Sequence, residues 1–286
     1  MPDTPLCFQF SHYAAKVWCE DDTLRQTLST YFRHCLYPVD CLSNTTFVGP
    51  DYRLAALKNL GLELWADDSL LYRGSSHPFA IERLMQDATM RLAAHCQDHL
   101  VLHAAGLAYK DCGLILCGGS GSGKSTLAAW LTAAGFDYLT DELVAVTLNG
   151  TEMSGLARPI SLKMGSAFVW QQWLRESDQH SLLPITNSTV LLNPELLRPC
   201  CVRGSVRPHL LLFPRFLPGE PLTVQDLTPA EAAFRLMAGL VNARNLPDHA
   251  FITATRLAQQ TRAYTLSYAD LTEATDSLQQ IVLREC

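Results

Sequence analysis

The first 96 residues mix two patterns: period-two alternation at Phe8-Gln9-Phe10 and helical spacing of apolar positions from Asp22 through Phe32. Alternation puts one residue class on each face of a strand, whereas a three-to-four spacing draws a single apolar stripe along a helix. Breaks at Pro38, Gly49-Pro50, Gly74 and Pro78 divide this stretch, and Phe79 through Cys96 reads as one amphipathic helix leading out of it. From His99 the pattern changes. Leu100 to Tyr109 is almost wholly apolar, Lys110-Asp111-Cys112-Gly113 reads as a turn, and Leu114-Ile115-Leu116-Cys117 is a second apolar run, which together predict a hairpin. A helix over Lys124 to Ala134 stops at Gly135, a residue suited to the left-handed position after a helix. A strand at Phe136 to Leu139 follows. Then Leu143 to Leu148 and the turn Asn149-Gly150 predict a second hairpin whose return arm is Leu156 to Lys163.

Beyond it, a short helix is expected around Ser166 to Arg175, and the polar, Pro-containing residues 176–207 read as mobile connections, including a substrate-covering loop. A strand from His209 to Phe213 ends at Pro214. Thr228-Pro229-Ala230-Glu231 is a capping box with Pro at the first helical position, opening a helix to about Val241. The remainder reads as largely helical. The chain contains no internal repeat or low-complexity tract. Two units are expected: an N-terminal α/β segment, residues 1–96, and a nucleotide-binding domain with C-terminal helices, residues 97–286.

The chemistry sits between the first hairpin and the helix that follows it. Gly118-Gly119-Ser120-Gly121-Ser122-Gly123-Lys124-Ser125, continued by Thr126, fits G-x-x-x-x-G-K-[ST] between a strand and a helix. Glycines let consecutive N–H groups turn around phosphate oxygens where a Cβ would obstruct them, and the helix N-terminus adds its dipole. Lys124 then reaches the β- and γ-phosphates, and the Ser125 hydroxyl ligates Mg²⁺. Leu139-Thr140-Asp141-Glu142 follows, with Asp141 only 16 residues past Ser125. That interval is too short for a transporter-type ATPase, whose L-S-G-G-Q-like signature is absent. The nearest resemblance to a guanine-reading Asn-Lys-x-Asp, Lys58-Asn59-Leu60, precedes the loop, which disfavours a GTPase. Phosphoryl transfer to a hydroxyl needs a metal, a base and positive charge. Asp141 and Glu142 offer two of these, one as proton acceptor and one as metal ligand.

Composition narrows the partners. Of 286 residues, 48% are hydrophobic and 17% charged, and the net charge of −6 argues for a folded protein and against a basic nucleic-acid surface. No apolar run approaches the roughly 18 residues of a spanning helix, and Met1-Pro2-Asp3-Thr4-Pro5 lacks a basic leader region, so a cytoplasmic protein with no membrane partner is expected. The ten cysteines form no C-x-x-C and have no His at finger-like spacing, so they read as reduced and mostly as small buried hydrophobes. Cys200-Cys201 falls in a loop where a redox or surface role is an alternative, and Cys117 touches the glycine-rich loop, where its thiol is a candidate for alkylation.

Taken together, Leu102-His103-Ala104-Ala105-Gly106, the loop Gly118 to Thr126, Gly135, Leu139-Thr140-Asp141-Glu142 and Arg158-Pro159-Ile160-Ser161-Leu162-Lys163 resemble the C-terminal catalytic domain of HPr kinase/phosphorylase. The closer resemblance is to the HPr kinase-related kinases of peptide biosynthetic clusters. It covers about residues 97–165, and more weakly Phe213-Pro214-Arg215-Phe216 and the helix after Thr228. It implies a P-loop α/β core with a mixed, partly antiparallel sheet. It also implies Asp141 as catalytic base and Glu142 where a second Asp usually stands. His103 matches the family's His before the loop strand, as an organiser of nucleophile or phosphate, or as a hydrogen-bonded strand histidine. Arg158 and Lys163 lie where they would contact phosphate or substrate, or form a solvated hairpin edge. The family's glycine-rich Arg-Gly-Leu-Gly segment is not evident, which points away from HPr as substrate and from phosphorylase activity.

The resulting expectation is an ATP- and Mg²⁺-dependent kinase acting on a serine-type hydroxyl of a peptide, protein or small metabolite, with a homo-oligomer possible. The alternatives are an ATP-binding sensor or scaffold and an enzyme resembling phosphoenolpyruvate carboxykinase, whose metal-binding His and Lys constellation is not recognisable here.

Overall fold

A computed structural model of the chain describes residues 4–42, 45–57, 61–119, 121–179, 181–186 and 188–286. Met1-Pro2-Asp3, Lys58-Asn59-Leu60 and Ser120, all invoked above, lie outside the described residues. The fold is mixed α/β, with both parallel and antiparallel strand pairs.

The alternation near the N-terminus becomes the hairpin β1 (Leu6–Phe10) and β2 (Tyr13–Cys19), and the helical spacing becomes α1 (Asp22–Tyr31). β3 (Leu36–Pro38), β4 (Thr46–Phe47), β5 (Tyr52–Ala56), β6 (Leu62–Ala66) and β7 (Ser69–Gly74) complete a seven-stranded sheet. Its order is β3-β1-β2-β5-β6-β7, with β4 beside β2. α2 (His77–His95) lays Ile81, Leu84, Ala88 and Leu92 on that sheet. This core also takes in Val101, Leu143, Ala145 and Leu156 from the later part of the chain.

A nine-stranded sheet follows. β8 (His99–Tyr109) and β9 (Cys112–Cys117) form the expected hairpin, and α3 (Lys124–Ala133), β10 (Asp137–Thr140) and β11 (Leu143–Thr147) come next. β8 pairs with β11 over its first half and β10 over its second. β9 is buried along its whole length, which explains its uninterrupted apolar sequence: strands covered on both faces lose their alternation.

The second hairpin closes differently from expectation. β11 pairs with β12 (Met153–Gly155), and the residues after Gly155 leave the sheet. β13 (Ile160–Lys163) instead joins β14 (Leu183–Thr186) and β15 (Thr189–Leu192) in a three-stranded sheet, order β13-β15-β14. Its alternation serves two cores: Leu183, Ile185 and Leu191 enter the first, and Ile160, Leu162, Val190 and Leu192 the second. Residues 176–207 are therefore built elements more than connections. Between β13 and β14 lie α4 (Ala167–Trp173) and α5 (Glu176–Gln179), and after β15 come α6 (Pro194–Leu197) and β16 (Ser205–Val206).

β17 (Pro208–Phe216) runs through Pro214 rather than stopping there, and lies parallel to β9. β18 (Thr223–Asp226) precedes α7 (Pro229–Met237), whose capping box is formed in both directions by Thr228 and Glu231, though the helix stops short of Val241. α8 (Phe251–Gln260) leads to β19 (Arg262–Tyr268), parallel to β17, and α9 (Leu271–Glu285). This end is largely helical as expected, with the strand β19 added between α8 and α9. The sheet order is β16-β12-β11-β8-β9-β17-β19-β18, with β10 beside β8. α3, α4 and α9 cover one face and α7 and α8 the other.

Three details fix the joints. Asn242 is buried: its Oδ1 accepts the Val101 N–H at 2.9 Å, and its Nδ2 donates to the carbonyls of Cys96 and His99 at 2.8 Å each. A Cβ at Gly155 would stand 2.6 Å from the Leu139 carbonyl oxygen, so only glycine lets β12 cross so close to β10. Cys112 and Cys286, 174 residues apart, are joined in a disulfide, against the expectation of reduced cysteines throughout. Among the described residues no helix is long and apolar enough to cross a membrane.

Candidate active site

β9, β17 and β19 are parallel, so their carboxyl ends lie at one edge of the sheet, where open α/β folds leave a crevice. The glycine-rich loop leaves β9 there and enters α3. Gly121 and Gly123 have φ of +82° and +93°, a region costly for residues bearing a Cβ. At Gly123 a Cβ would also meet the Tyr268 hydroxyl at 2.8 Å. The Lys124 side chain folds back so that Nζ donates to the carbonyls of Gly118 at 2.6 Å and Gly119 at 3.1 Å. Lys124 is only 6% exposed, and burial pulls its ammonium below the usual lysine range, opposed by Glu142, Cys117 and Asp141.

The loop borders a cavity of about 810 Å³. Gly121, Gly123, Lys124, Ser125 and Thr126 line one side, and His103, Asp141, Glu142, Arg158 and Lys163 line the region facing them. Gly118, Gly119 and Ser122 are not among the lining residues; the Ser122 hydroxyl is buried without a hydrogen-bond partner among the described residues. The Thr126 hydroxyl is 2.8 Å from that of Ser166.

The acidic pair sits where β10 has ended. Thr140 Oγ1 accepts the N–H groups of Glu142 at 3.1 Å and Leu143 at 3.2 Å, a local turn that frees Asp141 and Glu142 from strand alternation. Both can therefore face Arg158. Its Nη2 donates to Glu142 Oε2 at 2.9 Å, and its Nε lies 3.7 Å from Asp141 Oδ1. The Asp141 side chain is 1% exposed. It accepts the Tyr138 hydroxyl and the Ser161 N–H, both at 3.1 Å. Burial raises the Asp141 carboxyl above the ordinary aspartate range; Arg158 pulls it down, Glu142 pushes it up, and Ser161 and Ser125 pull it down. A buried carboxylate with raised proton affinity and a cation beside it can take and hold a proton.

The structure thus gathers every described sequence-chosen residue at or beside one cavity, in two layers. Of the two places considered for Arg158, the solvated hairpin edge is ruled out: its guanidinium is buried, 8% exposed, and paired with both carboxylates. Lys163 is exposed on the cavity lining. His103 Nε2 is 3.9 Å from Glu142 Oε1, within ion-pair range but too far for a hydrogen bond. Cys117 is buried, with its thiol pushed up to about 12 by that burial, which removes it as a reactive thiolate. Sequence reading missed Glu82, Arg83, Gln86 and Met90 of α2, which also line the cavity, and Tyr268 and Leu271, of which Tyr268 packs against Gly123 of the loop. The amphipathic pattern of α2 announced its core stripe; the face turned to the cavity carries no signal of its own.

No family model matches the chain, and no curated protein matches it. Among solved structures, the Hpr(Ser) kinase/phosphatase from Coxiella burnetii aligns at 12% sequence identity with a TM-score of 0.35, covering 64% of this chain and 97% of that one.

Proposed function

We propose that this protein is a phosphotransferase that binds ATP on the glycine-rich loop and moves the γ-phosphate to a serine-type hydroxyl. The observation that carries this reading is the convergence of Lys124, Ser125, Asp141, Glu142 and Arg158 on one cavity at the carboxyl edge of parallel strands. The loop amides and the N-terminus of α3 hold the phosphates, and Lys124 exchanges the Gly118 and Gly119 carbonyls for phosphate oxygens. Asp141 accepts the proton of the attacking hydroxyl; the Tyr138 hydroxyl and Ser161 N–H orient it. Arg158 balances the two carboxylates before reaction and the spreading phosphoryl charge during it.

Hard oxygen donors at Ser125 and Glu142 suit Mg²⁺, which when bound neutralises phosphate charge. Glu82, Arg83, Gln86 and Met90 of α2 line the same cavity and are the residues proposed to meet the acceptor. The acceptor class is a peptide, protein or small metabolite.

The test is incubation with γ-labelled ATP, Mg²⁺ and a cell extract split into small-molecule and macromolecular fractions. Label enters one fraction with wild-type protein and is lost with Lys124→Ala and Asp141→Asn. Asp141→Asn keeps nucleotide affinity. Nucleotide binding without transfer to either fraction would replace the kinase reading with a nucleotide-sensing one.

A further inference from the structure

At the far end of β9 from the loop, three donor groups from distant parts of the chain meet. Cys112 opens β9, His209 lies on β17 and Cys286 follows α9. One ligating atom from each lies within 4.8 Å of the other two. Cys112 is buried, His209 is half-buried and Cys286 is exposed, so the group is closed toward the sheet and open to solvent on the other side.

We propose that, with the Cys112–Cys286 bridge reduced, these three side chains form a binding site for a zinc-class divalent cation. Two thiolates and an imidazole are the donor set that such a borderline-soft ion prefers over carboxylates and carbonyls. The proton position of the imidazole is set: His209 Nδ1 lies 2.9 Å from the Arg207 carbonyl oxygen, a contact that places the proton on Nδ1 and makes Nε2 the nitrogen that would ligate. The Gly113 N–H, 3.3 Å from the same nitrogen, is satisfied instead by the Arg207 carbonyl at 3.1 Å.

The size fits. Metal–sulfur bonds of about 2.3 Å and metal–nitrogen bonds of about 2.0–2.1 Å give tetrahedral edges of roughly 3.6–3.8 Å. With their Cα atoms 6.0 Å apart, the two cysteine side chains, once reduced, are of a length to span such an edge. Cys286 is the exposed residue that caps α9, whereas Cys112 sits in the packed core. Solvent water supplies a fourth ligand on the open side.

The chemistry of loading balances as follows. A phosphine and water reduce the bridge: the phosphine becomes its oxide, and the water's two protons complete two thiols. The cation then displaces both thiol protons and accepts the His209 lone pair. Six residues of strand, about 17 Å, separate this site from the loop, so occupancy can be measured without reference to nucleotide chemistry.

The experiment is a Co²⁺ titration of the full chain, reduced with a phosphine and then freed of it under inert gas. One Co²⁺ per chain should give a thiolate-to-cobalt charge-transfer band that Zn²⁺ abolishes, and the bridged protein should give none. Cys286→Ser should lose the band, and His209→Ala should weaken Co²⁺ binding at least tenfold with both thiols still titratable. The proposal is overturned if the reduced wild type gives no such band, or if the bridge stays closed under reductant while the protein remains folded. It is equally overturned if Cys286→Ser leaves the band unchanged, which would assign it to other thiols such as Cys200 and Cys201, or if His209→Ala binds like wild type.

Discussion

Replacing Arg158 with Met tests whether the acidic pair is held charged in the folded protein. The guanidinium is 3.7 Å from Asp141 Oδ1 and 2.9 Å from Glu142 Oε2. At an effective dielectric of about 20 these distances correspond to roughly 4.5 and 6 kcal/mol of attraction, much of it offset by the desolvation of a cation this buried. Removing one partner does not remove that cost from the others. Asp141 would remain buried with its neutralising charge gone, so Arg158→Met should destabilise the protein by about 3–5 kcal/mol at neutral pH. Asp141→Asn added to it should recover about 2 kcal/mol or more, because the charge left uncompensated is then absent.

Urea unfolding of wild type, both single variants and the double variant gives the coupling directly, provided the denaturant slope is unchanged. The pH dependence supplies a second check. Burial raises the Asp141 carboxyl and Arg158 pulls it down, so without Arg158 it rises further. A group whose pKa is higher folded than unfolded adds stability below its unfolded value, and that stability is lost as pH climbs through the folded value. The deficit of Arg158→Met relative to wild type should therefore be smallest in acid and grow toward alkaline pH. A loss below about 1 kcal/mol with no coupling to Asp141 would refute the charged-pair account.

Other outcomes follow from the same coordinates. Lys124→Met keeps the aliphatic stem and removes the ammonium, so calorimetry should show ATP affinity falling about 10- to 100-fold, the worth of a charge-assisted hydrogen bond. Asn242→Ala strands the Val101 N–H and the Cys96 and His99 carbonyls, and should cost about 3–5 kcal/mol by urea unfolding, each stranded buried group counting about 1–3 kcal/mol. Gly155→Ala drives a methyl group against the Leu139 carbonyl and Thr140, and a loss of about 1–3 kcal/mol should appear as a lower urea midpoint.

What the sequence disclosed was local. The hairpin of β8 and β9, the glycine-rich loop, the start of α3 and the capping box at Thr228 each depend on residues within a few positions of one another. The failures share the opposite property. β19 was passed over inside an end read as largely helical: Tyr264 to Tyr268 alternates locally, but its place in the sheet comes from β17, whose Leu210 faces Arg262 more than fifty positions later. β14 and β15, four residues each, were taken for loops because β15 finds its partner in β13, whose Ile160 faces Leu192 more than thirty positions later. At the site, Asp141 was legible from its distance to the loop, whereas the burial of Arg158 against it depends on how the residues after Gly155 leave the sheet. The meeting of Cys112, His209 and Cys286 has no counterpart in spacing, since the fold alone brings them together.

The parallel pairing of β9 with β17 has a consequence for how the chain is made. Between Cys117 and Pro208 lie 90 residues, and at about 5–20 residues per second a ribosome spends roughly 5–18 s on them. The apolar strand that carries the loop therefore leaves the ribosome about that long before β17 does, with β8 to pair on one side and an open edge on the other. An unpaired hydrophobic edge is the part of a nascent chain most prone to wrong partners. Slower translation lengthens that exposure, and low temperature, which weakens apolar association, reduces its hazard.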